Sequence, residues 1–316
     1  MGKASSFLIK NADVIRGTKA TREKLDVLVE GDRIARVSSS ISDGSVPVVN
    51  GAGLTLTPGF IDPASASDHF LSLFIDSHAK AFLASGVTTI IGGMDGSSLA
   101  PLFSGSLESI RKWANGDSIN VDWDSFSEYL DRLEKLELGV NFGSFVGHST
   151  VRRGLFGSID HDLTEEDLEK MNTLLSDALS EGAFGVSMGL AFNHSNGVSG
   201  HEIETVASLC ASRERFVSMS LRFDGAELEK GIEEAHSIAK ATKVRMFVNH
   251  FKAAAKCEPE FEKALKAVAD EKNFYLCTNV SDGRPSPIYF LLPTIFRFGP
   301  LETMLSHIDK ADSLEE

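Results

Sequence analysis

The sequence predicts an α/β chain in two parts, a small β-rich module followed by a larger domain in which short strands alternate with helices. Between residues 5 and about 57, brief apolar segments are separated by Gly/Asp turns such as Gly31-Asp32, which favour hairpins. From Pro58 onward the texture changes, and short apolar runs are each followed by a longer stretch of helical periodicity. That repeated order argues for a parallel sheet, either open or closed as a barrel. The 316 residues, 42% hydrophobic and 24% charged, suffice for a large buried core.

In the first module, strands are expected over 7–14, 25–29, 33–37, 46–49 and 54–56. Pro58-Gly59-Phe60-Ile61-Asp62 reads as a loop delivering a short strand, and 87–91 is β-branched before a Gly92-Gly93 turn. Further strands are expected over 140–146, 185–189, 217–221, 244–249 and 274–280. Helical patterns cover 107–113, 126–136, 165–179, 201–211, 227–240 and 260–270. Thr164 is a good N-cap for the third of these, with Asp167 completing an approximate capping box. Within it Leu168, Met171, Leu175 and Leu179 form an apolar stripe. Residues 301–308 suggest a terminal helix and 309–316 a polar tail. The expected division is therefore 1–57, 58–300 and 301–316.

Asp and Glu number 45 against 31 Lys and Arg, for a formal charge of -14 without a long basic block, so nucleic acid is excluded as the expected partner. No apolar stretch is long enough to span a bilayer, so no membrane insertion is expected. Cys210, Cys257 and Cys277 are too scattered for a disulfide framework or a Cys-x-x-Cys metal knuckle. With no signal-peptide core at the N-terminus, they read as reduced thiols of a cytoplasmic protein.

In parallel α/β sheets chemistry gathers at the C-terminal strand ends. There the sequence offers Ala64 and Ala66, with Asp62, Asp68 and His69 around them, and Asp95 in Gly93-Met94-Asp95-Gly96. It then offers His148 in Gly147-His148-Ser149-Thr150, with Arg152 and Arg153 nearby, and Ser220 and Arg222 in Ser218-Met219-Ser220-Leu221-Arg222. His250 and Lys252 follow in Asn249-His250-Phe251-Lys252. His69 reads as either a substitute ligand or an ordinary loop residue, and Asp95 as either a metal carboxylate or a turn residue. His148 reads equally as a ligand contact or as packing. A methyl group cannot bind a metal, a neutral serine hydroxyl is a poor zinc ligand, and one imidazole does not make a metal site.

These residues carry a resemblance. The chain resembles the N-acyl-D-amino-acid deacylase (D-aminoacylase) branch of the amidohydrolase superfamily, as a degenerate and C-terminally shortened homologue, over about residues 7 to 293. The matching stretches are Pro58-Gly59-Phe60-Ile61-Asp62, Gly86-Val87-Thr88-Thr89, Ser98-Leu99-Ala100-Pro101-Leu102 and Val146-Gly147-His148-Ser149-Thr150. Glu181-Gly182-Ala183-Phe184-Gly185-Val186-Ser187-Met188-Gly189-Leu190 and Asn249-His250-Phe251-Lys252-Ala253-Ala254 complete them.

The resemblance implies a TIM-barrel-like, metallo-dependent hydrolase domain, incomplete or atypically closed here, with a partial β-sandwich from the N-terminal module. It also implies zinc, a metal-bound water that attacks the amide carbonyl, and a late-barrel aspartate that handles protons. Carried over position by position, the His-x-His pair of the family falls on Ala64 and Ala66, its cysteine ligand on Asp95 and one histidine ligand on Ser220. The final histidine ligand is matched by His250, and Arg222 matches a family arginine. The Tyr-Pro-Tyr motif is replaced by Val280-Ser281-Asp282-Gly283-Arg284-Pro285, and the late aspartate has no counterpart.

On these residues the expectation is a catalytically inactive, amidohydrolase-like pseudoenzyme, its metal site lost, with no catalytic residues, no metal ligands and no cofactor. It would be a structural subunit of a protein complex, with a partner or oligomer covering the shortened barrel. Two alternatives stand beside it. One is a zinc-dependent deacylase-type hydrolase with a rearranged metal site using His250, Asp95 and either His148 or His69. The other is a non-catalytic module that binds acyl-amino acids through His148, Arg222 and Lys252.

Overall fold

A computed structural model describes residues 6–17, 21–103, 119–157, 161–192, 195, 197–278 and 305–306. It divides into two compact units, Met1–Phe60 and Ile61–Glu316. The helix expected over 107–113, the segment 280–285 and the tail 309–316 lie outside the described residues. So does the terminal helix of 301–308, apart from 305 and 306, which are helical.

In the first unit β1 (Phe7–Ile15) pairs antiparallel with β2 (Arg22–Glu30), which pairs antiparallel with β3 (Arg33–Ser38). Those are the expected hairpins. The next two strands depart from that pattern, because β4 (Val48–Asn50) and β5 (Thr55–Leu56) both run parallel to β1. Their connections cross over instead of turning back. Ala12, Val14, Leu25 and Val27 fill one core, and Leu8, Leu28 and Ile41 another. Asp26 is the polar exception on β2. Its carboxylate accepts the N–H groups of Asn11 and Ile41, each at 2.9 Å. Asn11 sits at φ +61° where the β1 ladder shifts register, so a side chain satisfies an amide that the irregular strand exposes.

The second unit is built on parallel strands. β6 (Phe60–Asp62), β7 (Val87–Gly92) and β8 (Asn141–Ser144) form one ladder. β9 (Val146–Gly147), β10 (Gly185–Gly189), β11 (Phe216–Ser220), β12 (Arg245–Asn249) and β13 (Phe274–Leu276) form another. The single strand expected over 140–146 is thus two pieces that meet at Phe145. Hydrogen bonds carry the wall across that bend: Phe145 N–H to Gly92 O (3.0 Å) and Phe184 N–H to Ser144 O (2.8 Å). Residues 279–304, after β13, lie outside the described residues.

The helices are α1 (Ser72–Ile75), α2 (Lys80–Ala84), α3 (Phe126–Glu134), α4 (His148–Phe156), α5 (Glu165–Ser180), α6 (Gly200–Ser212), α7 (Leu228–Thr242) and α8 (Glu258–Val268). The capping box at the start of α5 is present, with Thr164 and Asp167 exchanging bonds, and the expected stripe on that helix is buried. Side chains alternate across the strands with period two. On β11, Val217 and Met219 join the core shared with the helices, while Phe216, Ser218 and Ser220 occupy the opposite face. That second face begins with a row of rings. Phe145, Phe184, Phe216, Phe247 and Tyr275 follow one another at centroid spacings of 5.4, 5.0, 5.0 and 5.1 Å. It ends with polar groups at the strands' C-terminal ends. Among the described residues no helix is long and apolar enough to cross a membrane.

Candidate active site at the strand ends

The site starts from the turn after β7. Gly93, Asp95 and Gly96 all lie in the left-handed region, at φ +71°, +56° and +76°. A Cβ on Gly93 would lie 2.0 Å from the Phe145 carbonyl oxygen, so both backbone angle and space demand glycine there. The turn is pinned at both ends. The buried Asp68 carboxylate accepts the Gly93 N–H at 2.6 Å, and Ser187 Oγ accepts the Gly96 N–H at 3.1 Å.

The pinned turn presents the Asp95 carboxylate to the ends of β11 and β12. The Ser220 hydroxyl donates to Asp95 Oδ1, and His250 Nε2 lies 3.1 Å from both carboxylate oxygens. These partners are 125 and 155 residues away in sequence. His250 directly follows β12 and also takes a left-handed φ of +56°, a local strain of the kind that gathers at working sites. Burial by itself would raise the Asp95 pKa. The hydrogen bond and charge of His250, the Ser220 hydroxyl and the charge of His69 outweigh it, holding the carboxyl well below the usual range. An anion there fixes the proton of a neutral His250 on Nε2, which leaves the lone pair on Nδ1. Nδ1 is buried and has no hydrogen-bond partner among the described residues. Beside the cluster lies a cavity of about 320 Å³ whose lining includes Ser220, Asn249 and His250, apolar Leu221, Leu228 and Phe251, and Asp224 and Lys252.

Of the other candidates, Ala64 donates its N–H to Asp62 in a turn past β6 and packs its methyl against the Ile91–Met94–Phe145 cluster, whereas Ala66 is exposed. His69 is buried, with Nε2 3.1 Å from the Ser97 carbonyl oxygen. His148 opens α4 and lies within a buried ion-pair network. Its Nε2 is 2.7 Å from Glu202 Oε1, which also takes Arg152 Nε at 3.0 Å. Burial would raise the Glu202 pKa, but His148 and Arg152 together hold it below the ordinary value. Arg222 is bound to Glu234 at 3.0 Å and to the Val198 carbonyl at 2.8 Å. Of His148, Arg222 and Lys252, the cavity lining includes Lys252. Ser187, Asn249 and Glu202 were not singled out by the sequence. Glu202 stands three residues after the N-cap Ser199, a spacing that suggests a capping role rather than a partner for His148.

Among the described residues no group of three or more His, Cys, Asp or Glu side chains is placed to hold a metal ion. The centre itself offers two such donors, Asp95 and His250, against the three protein ligands of an ordinary catalytic zinc site. The described residues therefore do not fit a complete zinc site, and no chemical step is assigned to one.

A scan against protein-family models matches none. Among curated proteins the chain is 28% identical to a D-aminoacylase of Alcaligenes xylosoxydans xylosoxydans over 83% of its own length and 53% of that protein. It is 28% identical to an N-acyl-D-aspartate deacylase of the same organism, over 79% and 50%. Among solved structures it matches a D-aminoacylase studied for its binuclear metal centre, activated by one metal and attenuated by a second. The TM-score is 0.74 at 27% identity, covering 86% of this chain and 58% of the other. The chain is a homologue of the D-aminoacylase branch of the amidohydrolase superfamily, with its α/β fold, and spans about half the length of the curated relatives it matches.

The expectation of a pseudoenzyme, with its metal site lost and a role as structural subunit of a protein complex, is corrected by these findings. The sequence and structural match is to deacylase enzymes and extends over most of this chain. Asp95, Ser220 and His250 converge in hydrogen-bonding contact.

Proposed function

We propose that this chain is a deacylase-type hydrolase of N-acylated amino acids, acting at a rearranged centre built on Asp95, Ser220 and His250. The observation that carries the reading is the meeting of Asp95 and His250 at 3.1 Å beside a cavity, in a homologue of D-aminoacylase. Asp95 stays ionised and orients the imbedded imidazole through Nε2, with the Ser220 hydroxyl holding the carboxylate in place. His250, beside the cavity, then takes a proton from the attacking water and returns it to the departing amine. Lys252, in the cavity lining, supplies a positive charge for the carboxylate of the substrate. The three cysteines, unpaired in the structure, support a reducing, cytoplasmic setting.

The test is amine release from a panel of N-acyl-D- and N-acyl-L-amino acids, with and without added zinc. Turnover is expected, with His250→Ala slower by about 10²–10⁴-fold. A folded protein that releases no amine from any member, zinc present or absent, sinks the reading.

A further inference from the structure

One polar group in the cavity wall is left over by the chemistry just assigned. Asn249, the last residue of β12, is 3% exposed and lines the cavity. Its Nδ2 donates to Ser218 Oγ at 2.5 Å, and its Oδ1 has no hydrogen-bond partner among the described residues. A buried carbonyl oxygen left without a donor is unfavourable, and a ligand that brings one relieves the cost on binding.

We propose that Asn249 is the specificity-determining residue by which this cavity recognises the amide N–H of an N-acylated compound. The inference rests on the deacylase-type reading and deepens it. A carboxamide oxygen only accepts, so its partner must donate. An N-acyl-amino acid with an apolar side chain carries a carboxylate and an acyl carbonyl, both acceptors, and one donor, the amide N–H. Asn249 therefore selects an amide over an ester of the same shape. The neighbouring wall agrees with such a ligand: Leu221, Leu228 and Phe251 offer apolar surface to an acyl or side chain. The side chain is held in place by Ser218 through its Nδ2, which lowers the ordering cost of binding.

The experiment compares dissociation constants for N-acetyl-D-leucine and its ester analogue, in which oxygen replaces the amide nitrogen. Ligand-observed NMR titration serves, since any hydrolysis appears in the same spectra. The amide should bind wild-type protein about tenfold tighter than the ester, the worth of one neutral hydrogen bond. In Asn249→Ala, checked for folding by circular dichroism, the ratio should fall towards one. Equal affinities in wild type would overturn the proposal while leaving the deacylase reading standing. A preference that persists in folded Asn249→Ala would also overturn it, and binding of neither compound would overturn both readings.

Discussion

At the scale of single residues, Asp95 keeps its charge in a buried place because His250 and Ser220 both bind it and His69 adds positive potential. Changing Asp95→Asn removes the anion while preserving the shape. The expected result in steady-state kinetics is a fall in kcat of about 10²–10⁴-fold with little change in KM, since what is lost is imidazole orientation and not binding surface. Glu202 belongs to a different network. Glu202→Gln removes the buried carboxylate that His148 and Arg152 share and should cost about 3–5 kcal/mol in urea denaturation. Asp95 and His250 were offered by the sequence as strand-end positions, because strand ends are where parallel sheets place chemistry. The partner of His148 was not, because a side chain 54 residues away decides whether that imidazole faces a ligand or an acid.

At the scale of elements, local chemistry was the most readable. The α5 capping box depends on residues three apart, and Thr164→Ala should lower stability by about 1 kcal/mol in thermal or chemical unfolding. Gly93→Ala tests the turn that carries Asp95. Its left-handed backbone alone should cost about 1–3 kcal/mol, and the Phe145 carbonyl adds a steric clash, so denaturant midpoint and kcat should fall together. Long-range decisions were less readable. The bend at Phe145 and the parallel placement of β4 and β5 depend on strands far off in sequence, to which apolar periodicity is blind. The start of α4 at His148 escaped for a related reason, since Gly147-His148-Ser149 fits a strand end and a helix start equally.

At the scale of the whole molecule, both units contain a carboxylate that folding makes more acidic. Asn11 N–H, against burial and with Ile41 N–H, lowers Asp26 in the first unit, and Asp95 and Glu202 are lowered in the second. A depressed folded pKa contributes stability that is present above the ordinary values of 3.8 and 4.5 and disappears as pH falls through the folded values. Urea unfolding should therefore give a lower free energy at about pH 3 than at about pH 7, and Asp26→Asn should flatten part of that dependence. A profile equally steep in the variant would remove Asp26 as a contributor. The division into a β module and a parallel α/β domain was legible from texture alone, because turn residues and apolar run lengths differ between them. The separation of 155 positions between Asp95 and His250 also sets a schedule for the newborn polypeptide. At roughly 5–20 residues per second, a ribosome takes some 8–30 s to add the imidazole after the carboxylate. For that interval the emerging chain carries the acid without its imidazole, and the pair can form only after residue 250 of the 316 has been added.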